Sequence, residues 1–340
     1  MGEQFSVFIG FDGFIDSILV AVDQRFGPGR HFAKIKKIQQ FAERIANAAG
    51  KSTNIELFPM EQRVGGNGPI LAQALAHDGL QIMLMGTLGL PMDPLFHNLS
   101  SNIVPITIGQ PGMTNAIEFD DGKLLLGITH PLDAVHLKTI APILTENLAK
   151  ISSCDLLCFT NWTMMIYMNE ILHFLWENLT IHRQKIAFFD LADPEKRPQR
   201  DIQAMIALMQ RYQQKRFTIL GLNLKEAEQI ASLLDHRFLE NDPKPSLVDL
   251  CVFIQNRMQI DEVFVHDYTC CAAATFTQSA WVDGFFVEHP KTTTGAGDHF
   301  NAGYLHAKLQ QKPLKACLTQ AYKISSHFVK TGTCLTLETE

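Results

Sequence analysis

The sequence has no cluster of basic residues, no apolar run near the roughly 20 residues of a membrane span, and no C-x-x-C pair. Lys and Arg total 29 against 35 Asp and Glu, a formal net charge of -6. That balance removes the positive footprint a nucleic-acid binder or an anionic-membrane binder needs. The 13 histidines show no H-E-x-x-H or comparable ligand spacing, so no zinc site is expected. Seven scattered cysteines, with one adjacent pair at Cys270 and Cys271, read as reduced, packed thiols of a cytoplasmic protein. The first residues carry no basic n-region, so no signal peptide is expected. Met1-Gly2 with Ser6 matches a myristoylation pattern only formally, because it leads straight into a strand. There is no repeat, low-complexity tract or long Pro/Ser-rich linker. What remains is a 340-residue chain at 46% hydrophobic, long enough to bury about 75% of its extended surface. Length alone suggests about two domains.

Apolar strands and helical stretches alternate along most of the chain. Phe5 to Ile9, Ile82 to Met85, Leu156 to Phe159, Ile186 to Phe189 and Phe217 to Leu222 are short apolar runs that read as buried strands. Val263 to Val265, Ala272 to Phe276 and Trp281 to Val287 read as late strands. Ile35, Ile38, Phe41 and Ile45 give helical spacing over 31–49, with Gly50 as its C-cap. Ile70 to Ala76 is helical, and a long helical run starts at Gly295. This alternation predicts a three-layer α/β/α core on a mostly parallel sheet. Strand-rich segments near 14–28, 54–64 and 103–129, the last with a hairpin at Asp121-Gly122, interrupt it. They predict a small β-sheet lid inserted into the first half of one α/β domain spanning 1–340.

The segment most informative about chemistry is Lys291-Thr-Thr-Thr-Gly-Ala-Gly-Asp298. Gly295 and Gly297 let the backbone turn tightly just before a helix. Free first-turn amides and the positive end of the helix dipole then converge on one point, an anion site. Asp298 falls in the first helical turn, where a carboxylate can take the proton of a hydroxyl held beside a phosphate. An isolated G-x-G-D by itself reads as a capped glycine turn, since such turns are common.

The segment does not stand alone. It resembles the D-T-x-G-A-G-D motif of the ribokinase-like, or PfkB-type, carbohydrate kinases, and other matches follow in the family's order. Gly10-Phe-Asp12-Gly-Phe-Ile-Asp16 occupies the place of the first-strand Asp, and Arg63-Val-Gly-Gly-Asn-Gly68 resembles the Gly-Gly segment at the lid–core hinge. Gly86-Thr-Leu-Gly89 with Asp93 resembles G-x-x-G-x-D, and Asn223-Leu-Lys-Glu226 resembles N-x-x-E. Together they span positions 10 to about 332, nearly the whole chain.

The resemblance implies an ATP-dependent kinase of a sugar or sugar-like alcohol, with a ribokinase-like core and lid. Asp298 would be the general base, and the Gly295, Ala296 and Gly297 amides the anion hole. Asp12, Asp16, Gly65, Gly66 and Asn67 would hold the substrate, with Asn161 a further contact. Asn223, Glu226, His266 and Thr294 would face the nucleotide, with Glu226 organising Mg²⁺ through water. Thr292 stands where the family has an Asp that shapes a monovalent-cation site, so the resemblance does not carry that site over. Val265-His266-Asp267-Tyr268 replaces the family's T-x-G near the nucleotide, which leaves the preferred phosphate donor open. A nucleoside kinase of the same family and a catalytically silent sugar-binding regulator on the same fold remain alternatives. Exposed lid edges allow a homodimer, and neither nucleic acid nor membrane is an expected partner.

Overall fold

The computed structural model describes residues 5–235, 246–284, 287–288 and 290–335. Seven strands run parallel: β1 (Ser6–Phe11), β5 (Gln81–Gly86), β6 (Ile103–Thr107), β9 (Leu156–Phe159), β10 (Ile186–Asp190), β11 (Phe217–Asn223) and β12 (Glu262–His266). The antiparallel pair β13 (Cys270–Thr275) and β14 (Ser279–Asp283) extends one edge. The order is β14-β13-β12-β11-β10-β9-β1-β5-β6. Most parallel strands carry unbroken runs of apolar residues because helices cover both faces of the sheet.

On one face, α3 (Leu137–Ser153), α4 (Met168–Asn178), α5 (Gln199–Tyr212), α6 (Leu224–Leu234) and α7 (Leu247–Met258) bury their apolar stripes around Phe159, Phe189 and Tyr212. On the other, α2 (Asn67–His77), α8 (Ala296–Leu309) and α9 (Leu314–Thr331) pack over Phe188 and Phe264. Phe264 stacks on Phe188 with centroids 5.9 Å apart and lies 4.2 Å from the Tyr304 ring. This packing fixes α8 against the sheet. Among the described residues no helix is long and apolar enough to cross a membrane.

A second, smaller sheet is built on β2 (Phe14–Arg25). It pairs antiparallel with β4 (Leu57–Gly65) and β3 (Phe32–Lys34), and parallel with β7 (Gly112–Phe119). The hairpin partner of β7 is β8 (Gly122–Ile128), joined through Asp120-Asp121. The helix α1 (Ile38–Ala46) lays Phe41 against Leu19, Ile117 and Phe119 on this sheet. Its first amide, on Ile38, donates to Asp121 Oδ1 at 3.0 Å, which ties the helix to the hairpin tip.

Three expectations differ from the structure. The helix expected over 31–49 is helical only at 38–46: residues 32–34 join the sheet beside β2, and Ile35 N–H donates to Ala21 O at 2.8 Å. Backbone pairing at the sheet edge there overrides the helical spacing. The helix is capped at Asn47, ahead of Gly50. The lid segment expected over 103–129 divides, because 103–107 is the edge strand of the large sheet, in parallel register with β5. Only 112–128 belongs to the small sheet. The last expected strand, 281–287, ends at Asp283, and residues 285 and 286 lie outside the described residues, as do Met1 and Gly2.

Candidate active site

The large sheet ends in polar residues on one side. Asp12 follows β1, Asn161 follows β9, Asp190 closes β10, Asn223 closes β11 and His266 closes β12. The carboxyl ends of parallel strands are where such sheets open to ligands. Here Asn161, Asp190, Asn223 and His266 floor a cleft of about 440 Å³ roofed by the small sheet through Phe14, Asp16, Arg63, Thr114 and Leu125.

Asp298 occupies the first turn of α8, whose N-cap Gly295 adopts φ 89°, a left-handed value that glycine reaches without penalty. The carboxylate is only 5% exposed, and Asn67 Nδ2 donates to its Oδ1 at 2.9 Å. Burial, and then the charge of Asp190, push its pKa well above the ordinary carboxylate range. Gly295 and Gly297 line the cleft beside it. Ala296 differs from expectation: its N–H turns back to Thr293 O at 3.3 Å, and it lies off the cleft wall. Of residues 295–297, only the two glycines therefore face the cleft.

The hinge residues serve two different purposes. Asp12, expected to hold sugar hydroxyls, is fully buried and off the cleft wall. Its Oδ2 accepts from the amide of Asn67 at 2.8 Å and from Asn161 Nδ2 at 3.0 Å. Its Oδ1 accepts from the amide of Gly68 at 2.9 Å and the hydroxyl of Thr160 at 3.0 Å. A carboxylate offers about four acceptor sites, and all are taken by protein. Asp12 thus caps the start of α2, where two first-turn amides lack helical partners. Gly66, at φ 90°, leaves room for it: a Cβ there would meet Asp12 Oδ2 at 2.8 Å. Gly65 likewise makes way for Asp16, whose Oδ1 would lie 2.3 Å from an added Cβ. Asp16 does face the cleft, hydrogen-bonded to Thr114, with burial pushing its pKa up.

Asn161 sits at φ 55° with its Nδ2 committed to Asp12 and a buried Oδ1 without a partner. One turn beyond Asp298, Asn301 is arranged the same way: Nδ2 donates to Asp190 Oδ2 at 2.8 Å, while its buried Oδ1 has none. Both residues line the cleft. An orphaned buried acceptor is costly unless a ligand or water donates to it, so each is suited to a sugar hydroxyl. Burial and the neighbouring Glu226 push the Asp190 pKa up to about 8.

Asn223 and Glu226 form a reciprocal cap on α6. Asn223 Oδ1 accepts the Glu226 amide at 2.9 Å, and Glu226 Oε2 accepts the Asn223 amide at 3.0 Å. Glu226 Oε1 accepts the amide of Asp193 at 2.8 Å. That amide is aimed by Ala192 and Asp193 at φ 54° and 61°, two successive left-handed non-glycine residues beside the site. His266 lines the cleft near Gly297, with its ring 4.7 Å from that of Phe300. Burial lowers its pKa to about 4, so it is neutral at physiological pH. Thr294 also lines the cleft.

Asp190, Asp193, Lys196, Arg63 and Asn301 line the cleft without having been expected there. For Asp190 a signal existed, since it is the acidic residue closing an apolar run, Ile186 to Phe189. The others come from a loop, a lid strand and a helix interior, and nothing local distinguishes them.

The fold is that of the ribokinase-type carbohydrate kinases. A carbohydrate kinase from Agrobacterium tumefaciens superposes with TM-score 0.64 at 15% identity, covering 97% of this chain and 92% of that one. Ribokinase from Thermotoga maritima does so with TM-score 0.60 at 16% identity, covering 97% and 94%. The chain belongs to the prokaryotic ketohexokinase family, whose profile it matches over residues 3–339. A ketohexokinase from Haloferax volcanii is 25% identical, over 96% of this chain and 87% of that protein. The chain is accordingly an ATP-dependent sugar kinase.

Proposed function

We propose that this kinase transfers the γ-phosphoryl group of ATP to a hydroxyl of a ketohexose, with Asp298 as general base. The observation that carries this reading is the buried, pKa-raised carboxylate of Asp298 in the first turn of α8, beside Gly295 and Gly297. The ketohexose comes from the family and from the relative named above. Asn161 Oδ1, Asn301 Oδ1 and Asp16 are acceptors for its hydroxyls. The lid face over them excludes water, which competes as phosphoryl acceptor. As the sugar oxygen attacks phosphorus, its proton passes to Asp298, the O–P bond forms, and the bond to the β-phosphate oxygen breaks to release ADP. The amides at the start of α8 stabilise charge on the transferring group.

A divalent ion fits this site as a largely hydrated one. Glu226 keeps lone pairs beyond its two amide bonds. Among the described residues no group of three or more His, Cys, Asp or Glu side chains stands close enough to hold a metal. Mg²⁺, which retains several waters and takes phosphate oxygens, would be held by Glu226 through water and would neutralise phosphate charge.

The test is a panel of ketohexoses, aldoses, pentoses and nucleosides with ATP and Mg²⁺, read by ADP release and product mass. A ketohexose phosphate as the main product is expected. Turnover of nucleosides alone, or sugar binding without ATP consumption, refutes the proposal.

Because Asp298 must be ionised to accept a proton, its raised pKa sets an acid limb: kcat/KM rises with pH until that pKa is passed. The charge of Asp190 contributes to the elevation. Asp190→Asn is therefore expected to move the limb to lower pH, and a pH–rate profile unchanged by it would disconnect the two carboxylates.

A further inference from the structure

Two successive carbonyls at the start of α8 are held by side chains. Gly295 O accepts from His299 Nδ1 at 2.8 Å, besides the backbone N–H of the same residue at 3.1 Å. Ala296 O accepts from Ser325 Oγ of α9 at 2.9 Å. A trans peptide is planar, and its C=O and N–H point opposite ways. The oxygen of Ala296 therefore dictates the direction of the Gly297 N–H, and the oxygen of Gly295 that of the Ala296 N–H. Gly297 lines the cleft, and a first-turn N–H has no partner within the helix. The Gly295–Ala296 peptide is the link between the two cleft-facing glycines. Glycine adopts either sign of φ about as readily, so a turn through Gly295 at φ 89° does not hold its own peptide planes in place.

The surroundings of His299 suit it to that task. Its buried ring stacks on Phe328 of α9, with centroids 3.6 Å apart. Because Gly295 O can only accept, Nδ1 carries the ring proton. That leaves Nε2 to accept from the thiol of Cys334, whose Sγ is 3.4 Å away. Burial lowers the His299 pKa to about 4 and raises that of Cys334. The neutral ring then offers one donor to the carbonyl and one acceptor to the thiol. Neither His299 nor Ser325 lines the cleft.

We propose that His299 and Ser325 are positioning residues for phosphoryl transfer, anchoring the oxygens of Gly295 and Ala296 so that the glycine amides stay aimed at the transferring group. The role rests on the reading of Asp298 and those amides given above. Donors fixed before the reaction stabilise developing charge without having to reorganise. The two residues act on the transition state through the backbone and leave the bound sugar untouched.

The test compares Ser325→Ala and His299→Leu, which remove the donors, with Ser325→Thr and His299→Asn, which keep them. Turnover is read by ADP release and sugar Kd by calorimetry. A third readout is the affinity that ADP with Mg²⁺ gains when aluminium fluoride is added, since that anion mimics the phosphoryl group in transfer. Each donor-less variant is expected to lower kcat by about 10–10²-fold, the cost of a misplacement of about 1 Å. Sugar Kd should stay within about twofold, and the fluoride gain should shrink by a factor similar to kcat. Ser325→Thr and His299→Asn should recover most of the loss. A kcat within about threefold of the parent overturns the role of that residue. So does a loss confined to sugar affinity, a loss that the donor-keeping variant fails to recover, or a lower melting temperature with the fluoride gain unchanged. Ser325→Ala removes a single oxygen, so it carries the test if His299→Leu does not fold. An Asp298→Asn chain that keeps its turnover refutes the reading of the site itself; loss of turnover there with Ser325→Ala unaffected refutes only the positioning role.

Discussion

Asp298→Asn should lower kcat by about 10²–10⁴-fold, the range for loss of a positioned general base, and should at the same time raise the melting temperature. The first effect follows because an amide cannot take the hydroxyl proton. The fold should tolerate the change, since the amide oxygen can still accept from Asn67 Nδ2 as Asp298 Oδ1 does. The second effect follows from linkage. The pKa of Asp298 is raised on folding, so between the ordinary value of 3.8 and the raised folded value the native state holds the proton more firmly than the unfolded state. Stability falls as pH climbs through that window, and the loss persists above it. Asparagine carries no such burden, so its advantage in thermal unfolding should grow from acid to alkaline pH. Sugar affinity should stay nearly as it was. A variant that is inactive and also less stable at alkaline pH would mark Asp298 as a structural cap. One that keeps most of its turnover would remove it as the base.

Why Asp298 was legible and its neighbours were not is a matter of sequence distance. Gly295, Gly297 and Asp298 act through one local turn, and glycine at both positions with an acid in the first helical turn is visible in eight residues. The capping pair Asn223 and Glu226 is similarly local, three residues apart on one helix start. Asn67, in contrast, meets Asp298 across 231 positions, and Lys123 meets Thr294 across 171. Such contacts exist only in the folded chain, the first where α2 and α8 pack on the same face of the large sheet, the second where the small sheet meets the start of α8. The large-sheet strands were readable because burial on both faces makes their sequences continuously apolar. Residues 32–34 were not. Phe32 packs 5.0 Å from Phe58 on the same small sheet, a partner that helical spacing over 31–49 cannot reveal. Edge strand 103–107 posed the same difficulty, since which sheet a short strand joins is decided by β5 and not by its own residues.

Asp12 lies off the cleft wall with four protein donors on its carboxylate, and it carries the second large effect. Asp12→Ala should cost on the order of 3–5 kcal/mol of stability, the usual loss when one partner of a buried charged hydrogen-bond cluster is removed. The deletion strands four donors: the amides of Asn67 and Gly68, the Thr160 hydroxyl and Asn161 Nδ2. Against a domain's typical ~5–15 kcal/mol that is a large fraction, readable as a lower urea midpoint with the slope unchanged. Asp12→Asn should recover only part of it, because one oxygen becomes an NH₂ that faces donors where an acceptor is required. Activity should fall along with stability: Asn67, which aligns Asp298, and Asn161, which offers its Oδ1 to the cleft, both lose their anchor. A residue that held sugar hydroxyls directly would behave otherwise, raising KM for the sugar while leaving the unfolding curve in place. That pattern in Asp12→Ala would return the residue to the substrate and leave the start of α2 to be held by something else.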